Sequence, residues 1–151
     1  MKTTVRKKGK IKVWIVILVI IGVIGIALLG GIMGTEPGRR EIKNLTINDI
    51  NFKNLRDGTY VGEYKGKKDS FRNTRVEVTV SSGRVTGIKV LKGALNKEGK
   101  PAEINSKGST VEDLFEKVIE TQSLQVDVIS GATLTSKTHI KAVENALEQA
   151  D

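Results

Sequence analysis

The stretch Arg75-Val76-Glu77-Val78-Thr79-Val80-Ser81-Ser82-Gly83-Arg84-Val85-Thr86-Gly87-Ile88-Lys89-Val90-Leu91 decides the fold. Val76, Val78 and Val80 alternate with polar residues, the period of a strand that buries one face. Ser82-Gly83 supplies a tight turn, and a second apolar run follows from Val85 to Leu91, so the stretch reads as an antiparallel hairpin. The apolar parity changes between Val85 and Ile88 around Gly87, which predicts a bulge.

Upstream, Asp57-Gly58 is a turn pair, and Thr59-Tyr60-Val61-Gly62-Glu63-Tyr64 reads as a further strand. Tyr60 and Tyr64 fall on one face, either as core aromatics or as a stacking surface for a planar ligand. Lys65, Lys67 and Lys68 fit a solvated edge that blunts strand pairing. Downstream, Lys92 to Gly108 is 17 residues rich in Lys, Gly, Asn and Glu, a loop long enough to be functional or mobile. Ser109-Thr110-Val111-Glu112 is a capping box, and Val111, Leu114, Phe115, Val118 and Ile119 then mark a helix over Thr110 to Thr121. Val126 and Val128 suggest a short strand. A last helix runs toward Ala150 and turns Ile140, Val143 and Leu147 inward, with Ala146 and Ala150 beside them. The fold class is α+β: a small antiparallel sheet packed with two helices, preceded by one N-terminal transmembrane helix.

Between the helices lies Asp127-Val128-Ile129-Ser130-Gly131-Ala132-Thr133-Leu134-Thr135-Ser136. Gly131 and Ala132 leave the main chain uncovered at Thr133, so a bulky polar group can come close to it. The first N–H groups of the following helix lack internal partners and carry the positive end of the macrodipole, which suits a phosphate. The alternative is that Thr133, Thr135 or Ser136 merely caps the helix, with Asp127 a turn carboxylate. His139 stands in the first turns of this helix, either as an ordinary half-exposed histidine or as a proton carrier.

The formal charge of +8 hints at nucleic acid, but its distribution removes the hint. Lys2, Arg6, Lys7, Lys8, Lys10 and Lys12 precede any acid, and the remainder carries 19 bases against 17 acids, net +2. Such a domain has no special pull on a phosphate backbone. The absence of cysteine excludes disulfides, thiolate metal sites and iron–sulfur clusters, and a single histidine argues against a histidine metal cluster. Redox or transfer chemistry therefore needs an organic cofactor, and with no acid–base pair standing out a carrier is favoured over a reductase with its own substrate.

Val13 to Met33 is an uncharged run of 21 residues. As a helix it extends about 31 Å, the thickness of a hydrocarbon core. Trp14 lies at its start, where amphipathic rings favour the interface. The run exceeds the apolar core of a signal peptide and no A-x-A-like cleavage site follows, so an uncleaved anchor is expected. Flanking bases place the N-terminus in the cytoplasm and the C-terminal domain outside a cell membrane crossed once. The organisation is a basic tail at 1–12, a transmembrane helix at 13–34, a spacer at 35–56 that lifts the domain off the lipid with its last few residues packing against it, and the domain itself at 57–151.

The ectodomain resembles the FMN-binding domain family, whose relatives include the C subunit of the sodium-pumping NADH:quinone oxidoreductase and the G subunit of the Rnf complex. The resemblance covers roughly residues 50 to 150. It is carried by Asp57-Gly58-Thr59-Tyr60-Val61-Gly62, the Val76 to Val90 hairpin, Gln122-Ser123-Leu124, and above all Asp127-x-x-Ser130-Gly131-Ala132-Thr133-x-Thr135-Ser136. It implies that a separate flavin transferase takes FMN from FAD and joins its phosphate to Thr133 as a phosphoester. Asp127, Ser130, Gly131 and Ala132 would be the motif around the acceptor, with Thr135 and Ser136 as phosphate neighbours. The acidic, glycine-rich segment that some relatives carry near the flavin has no convincing counterpart in Gly93-Ala94-Leu95-Asn96-Lys97-Glu98-Gly99, which leaves contacts to the isoalloxazine ring unassigned.

The expected function is therefore a membrane-anchored, extracytoplasmic electron carrier with covalent FMN, exchanging electrons with membrane or surface partners. A covalent tether also suits an exterior where free flavin is dilute and a reversible site would empty by mass action. Two rivals stand beside it. One is a non-redox surface module that binds through the lysine-rich 92–108 loop; the other is a reductase that holds FMN reversibly.

Overall fold

The computed structural model describes residues 8–68 and 70–151, with the side chains of 8–12 and 28–36 outside that description. The chain divides into two units, one up to Pro37 and one from Gly38 to Asp151.

The first unit is the leading part of helix α1, Lys8–Lys43, which is 36 residues long. Its described large apolar side chains, from Val13 to Ile26, are exposed. No helix among the described residues is long and apolar enough to cross a membrane. Of the expected span at 13–34, only 13–27 has described side chains; the side chains of 28–34 lie outside the description, as do residues 1–7 of the basic tail altogether.

The second unit begins well before Asp57, where the sequence suggested a spacer. Helix α1 continues to Lys43, and the apolar residues scattered through the next stretch face the core. Ile42 and Leu55 are buried, and Leu45, Ile47, Ile50 and Phe52 pack against the same cluster. Asn48 Nδ2 donates to Glu144 Oε1 at 2.8 Å, which ties this segment to the last helix.

Strands β1 (Gly58–Tyr64), β2 (Thr74–Ser81) and β3 (Arg84–Lys92) form one antiparallel sheet in that order. Alternation decides the faces: Val76, Val78 and Val80 are buried, while Arg75, Thr79 and Ser81 between and beyond them are exposed. Ser82 and Gly83 take φ of 55° and 70°, the doubly left-handed turn whose twist matches a two-residue hairpin. Asp57 Oδ1 accepts the Gly83 N–H at 2.8 Å, joining the hairpin tip to the start of β1. Thr79 pairs with Gly87 and Val80 with Val85, so Thr86 is the extra residue of a bulge immediately before Gly87. A second shift leaves Leu91 over, between the pairs Val76–Val90 and Arg75–Lys92.

Helices α2 (Val111–Thr121) and α3 (Thr133–Leu147) supply the other layer, α3 against β1 and β2 and α2 against β3. Val111, Leu114, Phe115 and Val118 of α2 are buried, each contributing up to about 2 kcal/mol of transfer free energy. The capping box is closed one residue later than its first serine suggested. Thr110 is the N-cap: its Oγ1 accepts the Glu112 N–H at 3.2 Å, and Asp113 Oδ2 accepts the Thr110 N–H at 2.8 Å. Ser109 is engaged elsewhere, its N–H donating to Asn105 Oδ1 and its carbonyl accepting from Ile104 N–H.

On β1, Tyr64 is buried and donates to Glu41 Oε1 at 3.3 Å, while Tyr60 donates to the Arg56 carbonyl at 2.9 Å. Gly62 lies between them, with α3 seated directly on its backbone. The expected strand at Val126 and Val128 does not form: residues 125–129 are irregular and Val128 is exposed. The 92–108 loop is folded on itself, through Asn96 N–H to Lys100 O at 2.8 Å, Ala102 N–H to Ala94 O at 3.0 Å and a bridge between Leu95 and Pro101.

Candidate functional site

The turn before α3 is built by its own short side chains. Gly131 holds a φ of 80°, a region where a Cβ would be strained, and lets the chain reverse into the helix. Ala132 N–H donates to the Ile129 carbonyl at 2.9 Å, closing the turn. Ser136 fixes it from within: its fully buried hydroxyl accepts the Ile129 N–H at 3.1 Å and donates to the Ala132 carbonyl at 3.0 Å. Asn105 braces the outside, donating from Nδ2 to the Ser130 carbonyl at 3.1 Å. Removing the Ser136 hydroxyl leaves a half-buried N–H without its partner, so Ser136→Ala is expected to lose about 1–3 kcal/mol in urea melts.

Helix α3 starts at Thr133, and its N-cap is Ala132, which cannot cap. The first intrahelical bond runs from Ser136 N–H to the Ala132 carbonyl, so the N–H groups of Thr133, Leu134 and Thr135 have no acceptor within the helix. The capping alternative therefore fails. Thr133 is exposed at the first helical position, and Ser136 is spent on the turn.

A cavity of about 420 Å³ opens at this helix start. Gly131, Ala132, Thr133 and Thr135 line it on one side, and Arg39, Lys43 and Arg72 bring three cations to it. No carboxylate is among the described residues that line it. Of the residues singled out in the sequence, Asp127, Ser130 and Ser136 are not part of the wall. Asp127 is exposed before the turn, and Ser130 contributes through its carbonyl to Asn105.

A second cavity of about 400 Å³ shares Arg72, Ile104 and Thr135 with the first. Phe71, Ala94, Ala102 and Ile104 give it apolar walls, and His139 reaches it from α3. Phe71 is 82% exposed, with the Arg72 guanidinium 5.5 Å from its ring centre. The folded 92–108 loop thus supplies walls to both cavities.

His139 is only 1% exposed, not half-exposed as its helical position suggested. Its Nδ1 donates to the Thr135 carbonyl at 2.7 Å, which leaves Nε2 to accept the Ala94 N–H at 3.5 Å. Burial pushes its pKa down from the ordinary 6.5, partly opposed by the bond to Thr135. The neutral ring stabilises the fold above the unfolded-state value, and that contribution is lost as pH falls from 6.5 through the lower folded-state value. Between about pH 7.5 and about pH 5.5 the melting temperature of the wild type is expected to fall by more than that of His139→Gln.

These residues fit an FMN. Uncapped N–H groups and three cations suit its phosphate, and the adjoining cavity, walled in part by Phe71, Ala94, Ala102 and Ile104, suits a planar ring. Residues 72–148 match the FMN-binding domain, just over half of the chain. The chain belongs to the FMN-binding domain family. It is also similar to the CPE2226 protein from Clostridium perfringens, whose crystal structure shares 28% identity over 64% of this chain and 88% of that one, with a TM-score of 0.46. For an FMN-binding domain, what sequence reading missed is the cationic wall. Arg39 and Lys43 were hidden because the helix that spaces them was expected to end at residue 34, and Arg72 stands in a loop with no motif around it.

Proposed function

We propose that this FMN-binding domain carries its flavin covalently on Thr133 and serves as an electron carrier anchored to a membrane. The observation that carries the reading is the cavity at the start of α3, where an exposed hydroxyl, three uncapped N–H groups and three cations meet in a chain of this family. A phosphoester at Thr133 Oγ1 puts negative charge where the helix end and the cations favour it.

Loading needs a separate flavin transferase and FAD. The pyrophosphate P–O bond of FAD breaks, the Thr133 Oγ1–P bond forms, AMP leaves and the hydroxyl proton is released. Gly131 and Ala132 keep the approach to that hydroxyl narrow in side chains, and Ser136 and Asn105 hold the turn that presents it. Flavin supplies one- and two-electron exchange, and the protein supplies position and surroundings. Phe71 and Ile104 of the second cavity would offer apolar cover to the ring. Among the described residues that line the Thr133 cavity there is no acid–base pair, and the domain is read as a carrier rather than a reductase with its own substrate.

The anchor rests on the uncharged run from Val13 to Met33, and the orientation on the bases before it, which put the flavin outside the cytoplasm. Electron donors and acceptors are then membrane or surface partners. Full-length protein produced with a flavin transferase is expected to keep its yellow colour and fluorescence through a denaturing gel. Colour that leaves with the solvent supports reversible binding instead, and a colourless protein overturns the flavin reading.

A further inference from the structure

We propose that the last turn of α1 belongs to the flavin site, with Arg39 and Lys43 recognising the flavin phosphate at Thr133. This rests on the reading of Thr133 as acceptor. Both residues lie upstream of the matched family region, which starts at residue 72, so the family match assigns them nothing. They are four apart on one helix and therefore share a face, and both line the Thr133 cavity.

The turn that carries them is held on three sides. Ile42 is 2% exposed in the core. Glu41 accepts the backbone N–H groups of Lys67 and Lys68, each at 2.9 Å, and the Tyr64 hydroxyl, bonds that hold its carboxyl below the ordinary range, with Lys67 the first cause. Lys137 of α3 donates from Nζ to the carbonyls of Lys43 at 2.7 Å and Leu45 at 3.4 Å. Lys137 follows Thr133 by one helical turn, so one side chain couples the acceptor helix to the turn that bears the two cations. Such a pre-set arrangement costs little reorganisation when an anion arrives. An incoming phosphate meets Arg39, Lys43 and Arg72 among the described lining residues, and the diester left on Thr133 keeps one negative charge there.

The test is the rate of flavin attachment to full-length apo-protein by purified flavin transferase with FAD, followed by fluorescence in denaturing gels. Both cations are exposed, so together they are expected to be worth about fivefold in rate at low salt. The pair Arg39→Gln, Lys43→Gln should load about fivefold more slowly, with a flatter salt dependence and an unchanged apo melting temperature. The charge-keeping pair Arg39→Lys, Lys43→Arg should load at close to the wild-type rate. Wild-type rate and salt dependence in the glutamine pair overturn the proposal, as does equal slowing in the charge-keeping pair. A wild-type chain that never takes flavin overturns the Thr133 reading and this inference with it, whereas loading of wild type and glutamine pair alike overturns this inference alone.

Discussion

Thr133→Ala is expected to fold as the wild type does and to carry no covalent flavin. Position 133 is exposed and opens α3, its side chain caps nothing, and alanine is the best helix former, so the change removes a reactive oxygen without removing a packing contact. The apo melting temperature should stay within about 1–2 °C of the wild type, a shift that corresponds to a few tenths of a kcal/mol. Denaturing-gel fluorescence should vanish. The neighbouring hydroxyls do not rescue it: Ser136 is buried in the turn, and Ser130 lies outside the cavity wall. Thr135 lines the cavity from within the first turn, and Thr135→Ala is a control that should keep most of its label. Persistent fluorescence in Thr133→Ala would place the ester elsewhere.

The second large effect is on the fold. At Gly62 an added Cβ would fall inside contact distance of the Ala142 carbonyl oxygen and the Ala146 backbone nitrogen. Both belong to helix backbone, which cannot step aside as a flexible side chain can. Gly62→Ala is therefore expected to cost about 3 kcal/mol or more, the upper end of overpacking, and Gly62→Val more still. Urea unfolding measures it directly. The effect should spread to the flavin site, because α3 that no longer seats on β1 cannot hold Thr133 opposite the cations of α1. A Gly62→Ala protein of unchanged stability would mean that α3 does not lie on this strand.

Periodicity made most of the core legible. The valines of β2, the stripe of α2 and Ile140, Val143 and Leu147 of α3 are inward because a period of 2 or 3.6 admits one apolar face. The parity break near Gly87 was a true bulge for the same reason. Where tertiary contacts decide, the sequence was silent or misleading. Val126 and Val128 alternate like a strand but pair with no strand among the described residues, and the next N–H, that of Ile129, goes to Ser136. His139 and Glu144 are polar and fully buried on α3, each satisfied at least in part by a residue far away in sequence, Ala94 for one and Asn48 for the other. The stretch at 35–56 reads as a spacer whose last few residues pack on the domain because its apolar side chains follow no single period, yet the packing begins as early as Ile42.

The candidate site was legible to the same degree and for similar reasons. Gly131, Ala132 and Thr133 announce a turn into a helix, and the geometry there follows from local chemistry. Ser136 was read as a phosphate neighbour, and its hydroxyl is instead the internal pin of that turn. The cationic wall depends on where a distant helix ends, which composition does not announce.

Peptide mapping of full-length protein matured beside its flavin transferase tests the central claim most directly. The fragment spanning Asp127 to Lys137 is expected to carry an FMN-sized mass increment, with fragmentation placing it on Thr133. The same fragment recovered without the increment, or with it on Ser130, Thr135 or Ser136, would contradict the account.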